Sequence, residues 1–474
     1  MLQKKIKLLA AWVAGHPAGL FLTLSAAFGL LLCFGLPPLG GSDEFTHFPR
    51  AYQVSQGQLR SEKVSEQTYG GYLPGNVKNM VDEYRDLSRK ENPAELRART
   101  EALQRKYSGV GQPGTDREAT PFTASAVYSS WSYAPSAVGM KVASVLRLPL
   151  LWYVYLGRIF TLLVFIALAY AAIRVVPLGK WFLFTLALLP TSLTQAVTIG
   201  PDALVNGASW LLVAVVMAVF ARNVPVGKKS LWAMLGLALL LCTTKQGYWL
   251  LAGLPLLLPA AYFKDKKQAW LWRAGAGTVL FLASLLYLQF SAPIARLIPY
   301  NQRPGEHVNS TEQLEKIRQE PEAFARLLVS QVSSPKYDEV VVGVAGRLTN
   351  RLIELPRPLV ITLYLTLLVA LGQATGLAAL RRYRHFFIAL TIAVMLGTFL
   401  IITLALYVSF TTVGNNFVEG VQGRYFLPII PMLLFLRLAK TKKTLTNHKN
   451  WLAVGCLTVT LVSLMWTIKA IMLA

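Results

Sequence analysis

The stretch PPLGGSDEFTHFPRAYQVSQGQLR, residues 37–60, follows the first long apolar segment and governs the interpretation of the chain. It places two adjacent carboxylates, Asp43 and Glu44, a few residues beyond a predicted membrane span. Carboxylates at a membrane boundary are costly unless they are solvated or paired. Two interpretations stay open: the pair acts as a base or binds a cation, or it caps a loop helix after Ser42.

The composition indicates a protein that crosses a membrane many times. Of 474 residues, 54% are hydrophobic, and the mean hydropathy is +0.45. The net charge of +24 is unevenly distributed: residues 41–124 hold 12 acidic and 12 basic residues, and residues 291–356 hold 8 of each. The basic excess therefore lies in short connections between apolar runs, which is typical of cytoplasmic loops. We expect no nucleic-acid partner.

Apolar runs of about 17–25 residues are long enough to span a bilayer, and they predict an all-α integral membrane protein with eleven transmembrane helices. The predicted spans are 17–37, 151–174, 181–199, 203–222, 230–245, 248–263, 270–290, 357–379, 386–411, 421–438 and 450–472. The three cysteines, Cys33, Cys242 and Cys456, lie in apolar runs without metal-ligand spacing.

The distribution of lysine and arginine predicts the orientation. Residues 1–37 begin with Lys4, Lys5 and Lys7 and no acid, which places the N-terminus in the cytoplasm. The first apolar run ends in PPLGG without a small-x-small site, so we expect no cleaved signal peptide. The predicted units that follow are a first external loop at 38–150, a transmembrane bundle at 151–290, a second external loop at 291–356 and further transmembrane helices at 357–474.

Residues 125–148 are apolar enough for a span but carry Pro135, Lys141 and Arg147. A crossing here would place the later basic connections outside, so we predict juxtamembrane helices at the outer interface instead. Within the two long loops, helices are expected to break at Asn92–Pro93 and at Glu320–Pro321.

With this orientation, four more charged side chains lie at the outer ends of spans. They are Asp202, Lys245, Glu419 and Arg424. Arg424, followed by Tyr425, suits bidentate phosphate binding, and Lys245 suits the same role as a point charge. Snorkelling to the headgroups is the alternative for both. Arg158 lies inside an apolar run, where an arginine usually faces a polar cavity or a partner.

The remaining candidates are a histidine, an arginine and aromatic residues. His47 can orient a carboxylate or contact a phosphate, but a single histidine is a poor metal signature. We expect no cofactor, and a divalent metal stays open although the sequence does not indicate one. Arg50 lies one turn further on. Tyr133, with Tyr128 and Trp131, can stack on a sugar or belong to an interfacial aromatic belt.

Several features together resemble a bacterial membrane family of unknown function. They are the acidic pair after the first span, YSSWSYAPSA at 128–137, Arg158 in the next span, PTSLTQAVTIGPDALVN at 190–206 and QGRYFLPIIP at 422–431. That family is similar to the GT-C glycosyltransferase superfamily, alongside the protein O-mannosyltransferases and aminoarabinose transferases.

The resemblance implies a GT-C-like bundle in the bacterial plasma membrane and a polyprenyl-phosphate-linked sugar as donor. It implies inverting transfer to an envelope glycan or glycolipid on the extracytoplasmic face, with Asp43 or Glu44 as base and Arg424 with Lys245 on the donor phosphate. The other expected substrate-binding residues are His47, Arg50, Tyr133, Arg158, Asp202, Glu419 and Tyr425. Acceptor recognition is expected from the two long loops.

Two other classes of protein stay open. A lipid or polysaccharide transporter would carry an approximate internal repeat, and the sequence has none that we can detect. A non-catalytic component of an envelope-synthesis complex would tolerate replacement of Asp43, Glu44 and Arg424.

Overall fold

The computed structural model describes residues 2–87, 93–298, 307–334, 337–349, 353–439 and 449–473, and within these ranges the chain is mostly helical. The α-helices in chain order are α1 Leu2–Gly15, α2 Pro17–Gly35, α3 Glu44–Ser55, α4 Gly75–Leu87, α5 Pro93–Gly109, α6 Thr123–Ala126, α7 Ala134–Val145, α8 Leu151–Val175, α9 Lys180–Ala187, α10 Pro190–Ala196, α11 Asp202–Arg222, α12 Lys228–Thr244, α13 Trp249–Ala252, α14 Lys266–Ala295, α15 Ser310–Gln319, α16 Pro321–Ser333, α17 Tyr337–Ala345, α18 Arg357–Gly372, α19 Arg384–Ser409, α20 Phe435–Leu438 and α21 Lys449–Leu473.

Six helical segments among the described residues are long and apolar enough to cross a membrane. They are α2, α8, α11, α14, α21 and a segment that joins the 3-10 helix Ala378–Tyr383 to α19. Helices α12 and α18 match predicted spans but contain only 17 and 16 residues. The protein is therefore a multi-pass membrane protein. The described residues contain six helical segments of this length, fewer than the eleven spans that the sequence predicted.

Three of the eleven predicted spans are broken helices, and proline explains each break. The span predicted at 181–199 divides into α9 and α10, with Pro190 at the start of α10. The span predicted at 248–263 consists of α13 with short 3-10 turns at Leu254–Leu257 and Ala260–Tyr262. The span predicted at 421–438 is a 3-10 helix, Gly423–Leu434, followed by α20. Proline lacks the N–H that a continuous helix requires.

The first long loop also contains strands, which the all-α prediction did not include. They form one antiparallel sheet in the order β1 Glu62–Ser65, β2 Thr68–Leu73, β3 Glu118–Pro121. The register pairs Glu62 with Gly70 and Gly70 with Pro121. At Gly70 an added Cβ would lie 2.0 Å from the Thr120 carbonyl oxygen, so only glycine allows the strands to pack this closely.

The segment at 125–148 does not form one long helix. It consists of the end of α6, a 3-10 helix at Ser130–Tyr133, and α7, which packs on α8 and α3. The helix break predicted at Glu320–Pro321 is confirmed, because α15 ends at Gln319 and α16 begins at Pro321. Asn92 lies outside the described residues, and α5 begins at Pro93.

The molecule has two apolar cores. The larger one joins α2, α8, α11 and the later helices, with Phe165 and Trp210 fully buried in its centre. The smaller core lies in the first long loop and includes Phe48, Met80 and Tyr133. Tyr153 and Val154 of α8 belong to this second core, so α8 anchors the loop to the membrane-spanning helices.

Candidate functional site

A buried ion pair holds the segment that follows α2. Arg158, on α8, donates from Nε to Glu44 Oε1 at 2.9 Å and from Nη2 to Glu44 Oε2 at 2.6 Å, and neither side chain is exposed. The guanidinium also donates to the carbonyl oxygens of Cys33, Leu36 and Pro37 at 3.0, 2.8 and 2.6 Å. Carbonyls at a helix C-terminus lack partners within the helix. Arg158 therefore ties the end of α2 to the start of α3.

The carboxylate of Glu44 is occupied by structural hydrogen bonds. Besides Arg158, it accepts from the backbone N–H groups of Gly41 at 3.1 Å and Ile199 at 3.0 Å. A buried ion pair is stable only when its remaining hydrogen-bonding positions are also filled, as they are here. Glu44 has no exposed surface, whereas the side chain of Asp43 is 41% exposed.

The side chain of Asp43 does not cap a helix. Asp43 precedes α3 in the left-handed region, with φ 57° and ψ 14°, and makes no side-chain capping hydrogen bond. Its Oδ2 instead accepts a hydrogen bond from Nη2 of Arg424, 381 residues further along the chain. The side chain remains 41% exposed. The carboxylate therefore faces an open space while it contacts a buried cation.

Arg424 connects the two acids of the site. Its side chain is 7% exposed, and its Nε lies 3.9 Å from Asp202 Oδ2. That separation exceeds hydrogen-bonding distance, and the Nε–H has no partner among the described residues. The guanidinium thus has one buried N–H group without a hydrogen-bond partner among the described residues.

Lys245 and Asp202 form a further ion pair next to Arg424. Lys245 Nζ lies 2.5 Å from Asp202 Oδ1, and the two side chains are 15% and 23% exposed. The ammonium also lies 5.1 Å from the ring centre of Tyr425 and 5.8 Å from that of Tyr128, which is cation–π distance. We call Asp43, Asp202, Lys245 and Arg424 the charged cluster.

His47 lies beside the charged cluster as a neutral ring. Its Nδ1 is 2.8 Å from the Tyr133 hydroxyl, which itself donates to the Ser125 carbonyl oxygen at 3.1 Å. Because tyrosine has one hydroxyl proton, His47 Nδ1 is the donor, and Nε2 is the unprotonated nitrogen. Burial lowers the pKa of His47 to about 4, although Asp43 and Asp202 oppose the shift.

The pKa of Asp43 reflects two opposing effects. Burial raises it, whereas the positive charge of Arg424, its hydrogen bond and the nearby His47 lower it more, so the net pKa lies below the ordinary value. Asp43 is therefore ionised at neutral pH. Its neighbour Arg424 stabilises the charged form and so reduces its basicity.

Three predicted substrate-binding residues make contacts that hold local structure. Arg50 is fully buried and donates to the Gln53 side chain at 2.5 Å and to the Leu59 carbonyl oxygen at 2.7 Å, so it shapes the turn after α3. Glu419 accepts from the Thr412 backbone N–H at 3.2 Å and holds the loop between α19 and the 3-10 helix at Gly423–Leu434. Arg158 is also structural, as described above.

The sequence interpretation missed some residues that shape the site. Tyr248 donates from its hydroxyl to the Tyr425 carbonyl oxygen at 2.9 Å and thereby positions the residue after Arg424. The only sequence signal was an aromatic residue close behind Lys245 in KQGYW. Gly41 was also missed: an added Cβ would lie 2.4 Å from Thr198 Oγ1. In the part of the chain that the structure describes, no group of three or more His, Cys, Asp or Glu side chains is placed to hold a metal ion.

The fold and the site together define a polytopic membrane protein with a charged cluster where several of its helices end. The model of one family, described as predicted membrane protein (DUF2142), matches residues 27–433. The chain belongs to this family. The matched range includes every residue of the charged cluster and ends before α21. No curated protein and no solved structure matches the chain.

Proposed function

We propose that the protein is a membrane glycosyltransferase that moves a sugar from a polyprenyl-phosphate donor to an envelope glycan or glycolipid on the extracytoplasmic face. The observation that carries the proposal is the contact of Asp43 with Arg424: a partly exposed carboxylate lies against a buried guanidinium that retains an unpartnered N–H. This contact supports the proposal, because a carboxylate that can act as a base lies beside a cation suited to phosphate.

Arg424 and Lys245 would hold the donor phosphate. An arginine fork matches phosphate oxygens, and the free Nε–H of Arg424 supplies a first donor without breaking an existing hydrogen bond. Both side chains are at least 85% buried, so their interaction with an anion is stronger than it would be in water. Asp202 keeps Lys245 in place while the site is empty.

Donor binding would also activate Asp43. The contact with Arg424 lowers the pKa of Asp43, which makes the carboxylate a weak base. Phosphate oxygens compete for the same guanidinium, and once they engage it Asp43 loses part of that stabilisation. The pKa of Asp43 then rises, so the carboxylate becomes more basic when the donor is present.

The transfer step would proceed as a single displacement. Asp43 takes the proton of the acceptor hydroxyl, whose oxygen forms a bond to the anomeric carbon on the face opposite the phosphate. The bond from that carbon to the phosphate oxygen breaks, and its electron pair leaves with the polyprenyl phosphate. Arg424 and Lys245 stabilise the charge on the leaving group. Neutral His47 offers Nε2 as a hydrogen-bond acceptor to orient a sugar or acceptor hydroxyl.

The proposal is tested with Asp43→Asn in protein reconstituted into nanodiscs. A panel of polyprenyl-phosphate sugars and an envelope extract are supplied, and release of polyprenyl phosphate is measured because every such donor yields it. We expect Asp43→Asn to lower turnover by about 100-fold or more, the usual effect of losing a general base. Binding of polyprenyl phosphate should be retained or improved, since Arg424 gains freedom, whereas Arg424→Lys should weaken it.

Asp82→Asn is the matched control. Asp82 is 40% exposed and lies 3.0 Å from Arg85 Nη1, so its exposure and its pairing resemble those of Asp43. Wild-type turnover in Asp43→Asn would contradict the assignment of Asp43 as base. No release of polyprenyl phosphate by the wild type with any donor of the panel would contradict the enzymatic proposal and favour a non-catalytic role in an envelope-synthesis complex.

A further inference from the structure

A cavity separate from the charged cluster lies against the same segment of the first long loop. Its volume is about 240 Å³, and it is bounded by residues 37–40, helices α4 and α5, Thr349, Ile353 and the ends of α2 and α21. No residue of the charged cluster lines it. The cavity is therefore a second candidate site, lined by residues other than those of the charged cluster.

Two buried hydroxyl groups in this cavity lack hydrogen bonds. Tyr84 and Thr349 line it and are 3% and 6% exposed, and neither hydroxyl oxygen has a partner among the described residues. A buried polar group without a partner costs about 1–3 kcal/mol. A ligand with hydrogen-bond accepting oxygens would remove that cost.

The charges around the cavity argue against an anionic ligand. The one cation among its described lining residues is Arg97, whose Nε lies 3.5 Å from Glu101 Oε1 on the next turn of α5. Both residues line the cavity, so their charges compensate each other. An uncharged polar group, such as an ester, ether or sugar oxygen, suits this environment better than a phosphate.

The size and position of the cavity indicate a lipid. Its volume is smaller than the roughly 300–1,000 Å³ of pockets that enclose a whole small ligand, so it holds only part of a molecule. Gly35, Ile471 and Met472 line it at the ends of the membrane-crossing helices α2 and α21. Met472 is 68% exposed. The cavity is therefore bounded at one side by an exposed apolar side chain at the end of α21.

We propose that this cavity binds one membrane lipid of the diacylglycerol type with an uncharged polar head, independently of the reaction proposed above. Tyr84 and Thr349 donate hydrogen bonds to the polar end of the lipid, and its acyl chain leaves between α2 and α21 into the bilayer.

The test uses a diacylglycerol with a photoreactive diazirine near the glycerol end of one acyl chain. The full chain is reconstituted with this probe in phosphatidylcholine nanodiscs and irradiated, and adducts are mapped by mass spectrometry. We expect adducts within residues 37–45 and at Ile471–Met472. The double variant Tyr84→Phe/Thr349→Val should reduce labelling about tenfold, the scale of two lost hydrogen bonds, and Gly35→Leu should reduce it by narrowing the exit.

A melting experiment separates lipid binding from folding. Added diacylglycerol should raise the Tm of the wild-type protein in detergent but not that of the Tyr84→Phe/Thr349→Val variant, whose Tm without lipid should not fall because it loses only unpartnered hydroxyls. The control is Tyr262→Phe/Thr398→Val, which changes a buried tyrosine and a buried threonine that do not line the cavity. Equal labelling of the wild type and both double variants would overturn the proposal. Labelling by a photoreactive polyprenyl phosphate but not by the diacylglycerol would overturn it as well.

Discussion

At the scale of single residues, the two adjacent carboxylates have different partners and different surroundings. Glu44 is fully buried and forms an ion pair with Arg158, whereas Asp43 is 41% exposed and forms an ion pair with Arg424. The backbone causes this separation, because Asp43 adopts the left-handed region and α3 begins one residue later. Neighbouring side chains therefore leave the chain in different directions, one toward the core and one toward the site.

Replacing Glu44 by glutamine should destabilise the protein without any direct effect on chemistry. The change leaves the buried Arg158 guanidinium without its counter-charge, and breaking a buried pair in this way costs about 3–5 kcal/mol. The free energy of unfolding, from a denaturant titration in detergent micelles, measures the effect. Glu83→Gln is the control, because Glu83 pairs with Lys106 at 2.6 Å on the surface, where such a pair contributes less than about 1 kcal/mol. Equal effects of the two changes would refute the structural role of Glu44.

His47 should make the stability of the protein depend on pH. The folded pKa of about 4 lies below the ordinary value of 6.5, so between these pH values the unfolded chain binds more protons than the folded one. Stability is then fully present above pH 6.5 and is lost as the pH falls toward 4. His47→Gln should flatten this slope in Tm measurements from pH 7.5 to 4.5. His385→Gln, at an exposed position, should leave it unchanged, and identical slopes for the wild type and His47→Gln would disprove the assignment.

At the scale of secondary-structure elements, the site is built where helices end or break. Asp202 begins α11, Lys245 follows α12, and Arg424 lies at the start of the 3-10 helix Gly423–Leu434. The negative charge of Asp202 in the first turn of α11 stabilises that helix, because a helix N-terminus carries partial positive charge. Pro428 and Pro431 interrupt the α-helical pattern after Arg424. The breaks that reduce the number of long spans also bring charged side chains to one place.

Gly423→Ala should displace Arg424 from the site. An added Cβ at position 423 would lie 2.1 Å from the Val340 carbonyl oxygen and 2.4 Å from the Val344 nitrogen, so α17 must move. We expect a lower Tm and weaker binding of polyprenyl phosphate. Gly236→Ala, in α12 with nothing within 4 Å of the added Cβ, should be neutral or stabilising by up to about 1 kcal/mol. If Gly423→Ala matched Gly236→Ala in both measurements, the packing argument would fail.

At the scale of the whole molecule, the start of the first long loop and the start of the segment at 421–438 must lie on the same side of the membrane. The direct contact between Asp43 and Arg424 requires it. The smaller apolar core of the first loop rests on α8, which also carries Arg158. The first long loop, the Glu44–Arg158 ion pair and the charged cluster therefore form one connected unit at one end of the bundle.

This arrangement predicts the sidedness of introduced thiols. In a background without Cys33, Cys242 and Cys456, which are all buried, we expect Ser65→Cys and Asn416→Cys to react from the same side with a membrane-impermeant maleimide. Asn223→Cys, at the other end of α11 from Asp202, should react only from the opposite side. All three positions are exposed. Labelling of positions 65 and 416 from different sides in intact and lysed cells would refute the fold at this level.

The sequence by itself determined the class of protein, the principal apolar helices and the approximate location of the site. Chain composition and charge distribution are local properties, so they predicted a multi-pass membrane protein and placed Asp43, Asp202, Lys245 and Arg424 at the ends of spans. The structure brings these four residues together in the charged cluster. The breaks at Pro190 and within 421–438 were missed, because length and hydropathy do not distinguish a continuous helix from a broken one.

Only the tertiary structure decided which charged residue contacts which. The sequence offered Asp43 and Glu44 as equivalent acids, and it offered Arg158 and Arg50 as possible substrate contacts. Glu44 contacts Arg158, 114 residues away in the sequence, and Asp43 contacts Arg424, 381 residues away. These contacts assign Glu44 to a structural ion pair and Asp43 to the charged cluster. The physical reason is that the strength and the role of a charge depend on its burial and its partners, which only the packing of distant segments can set.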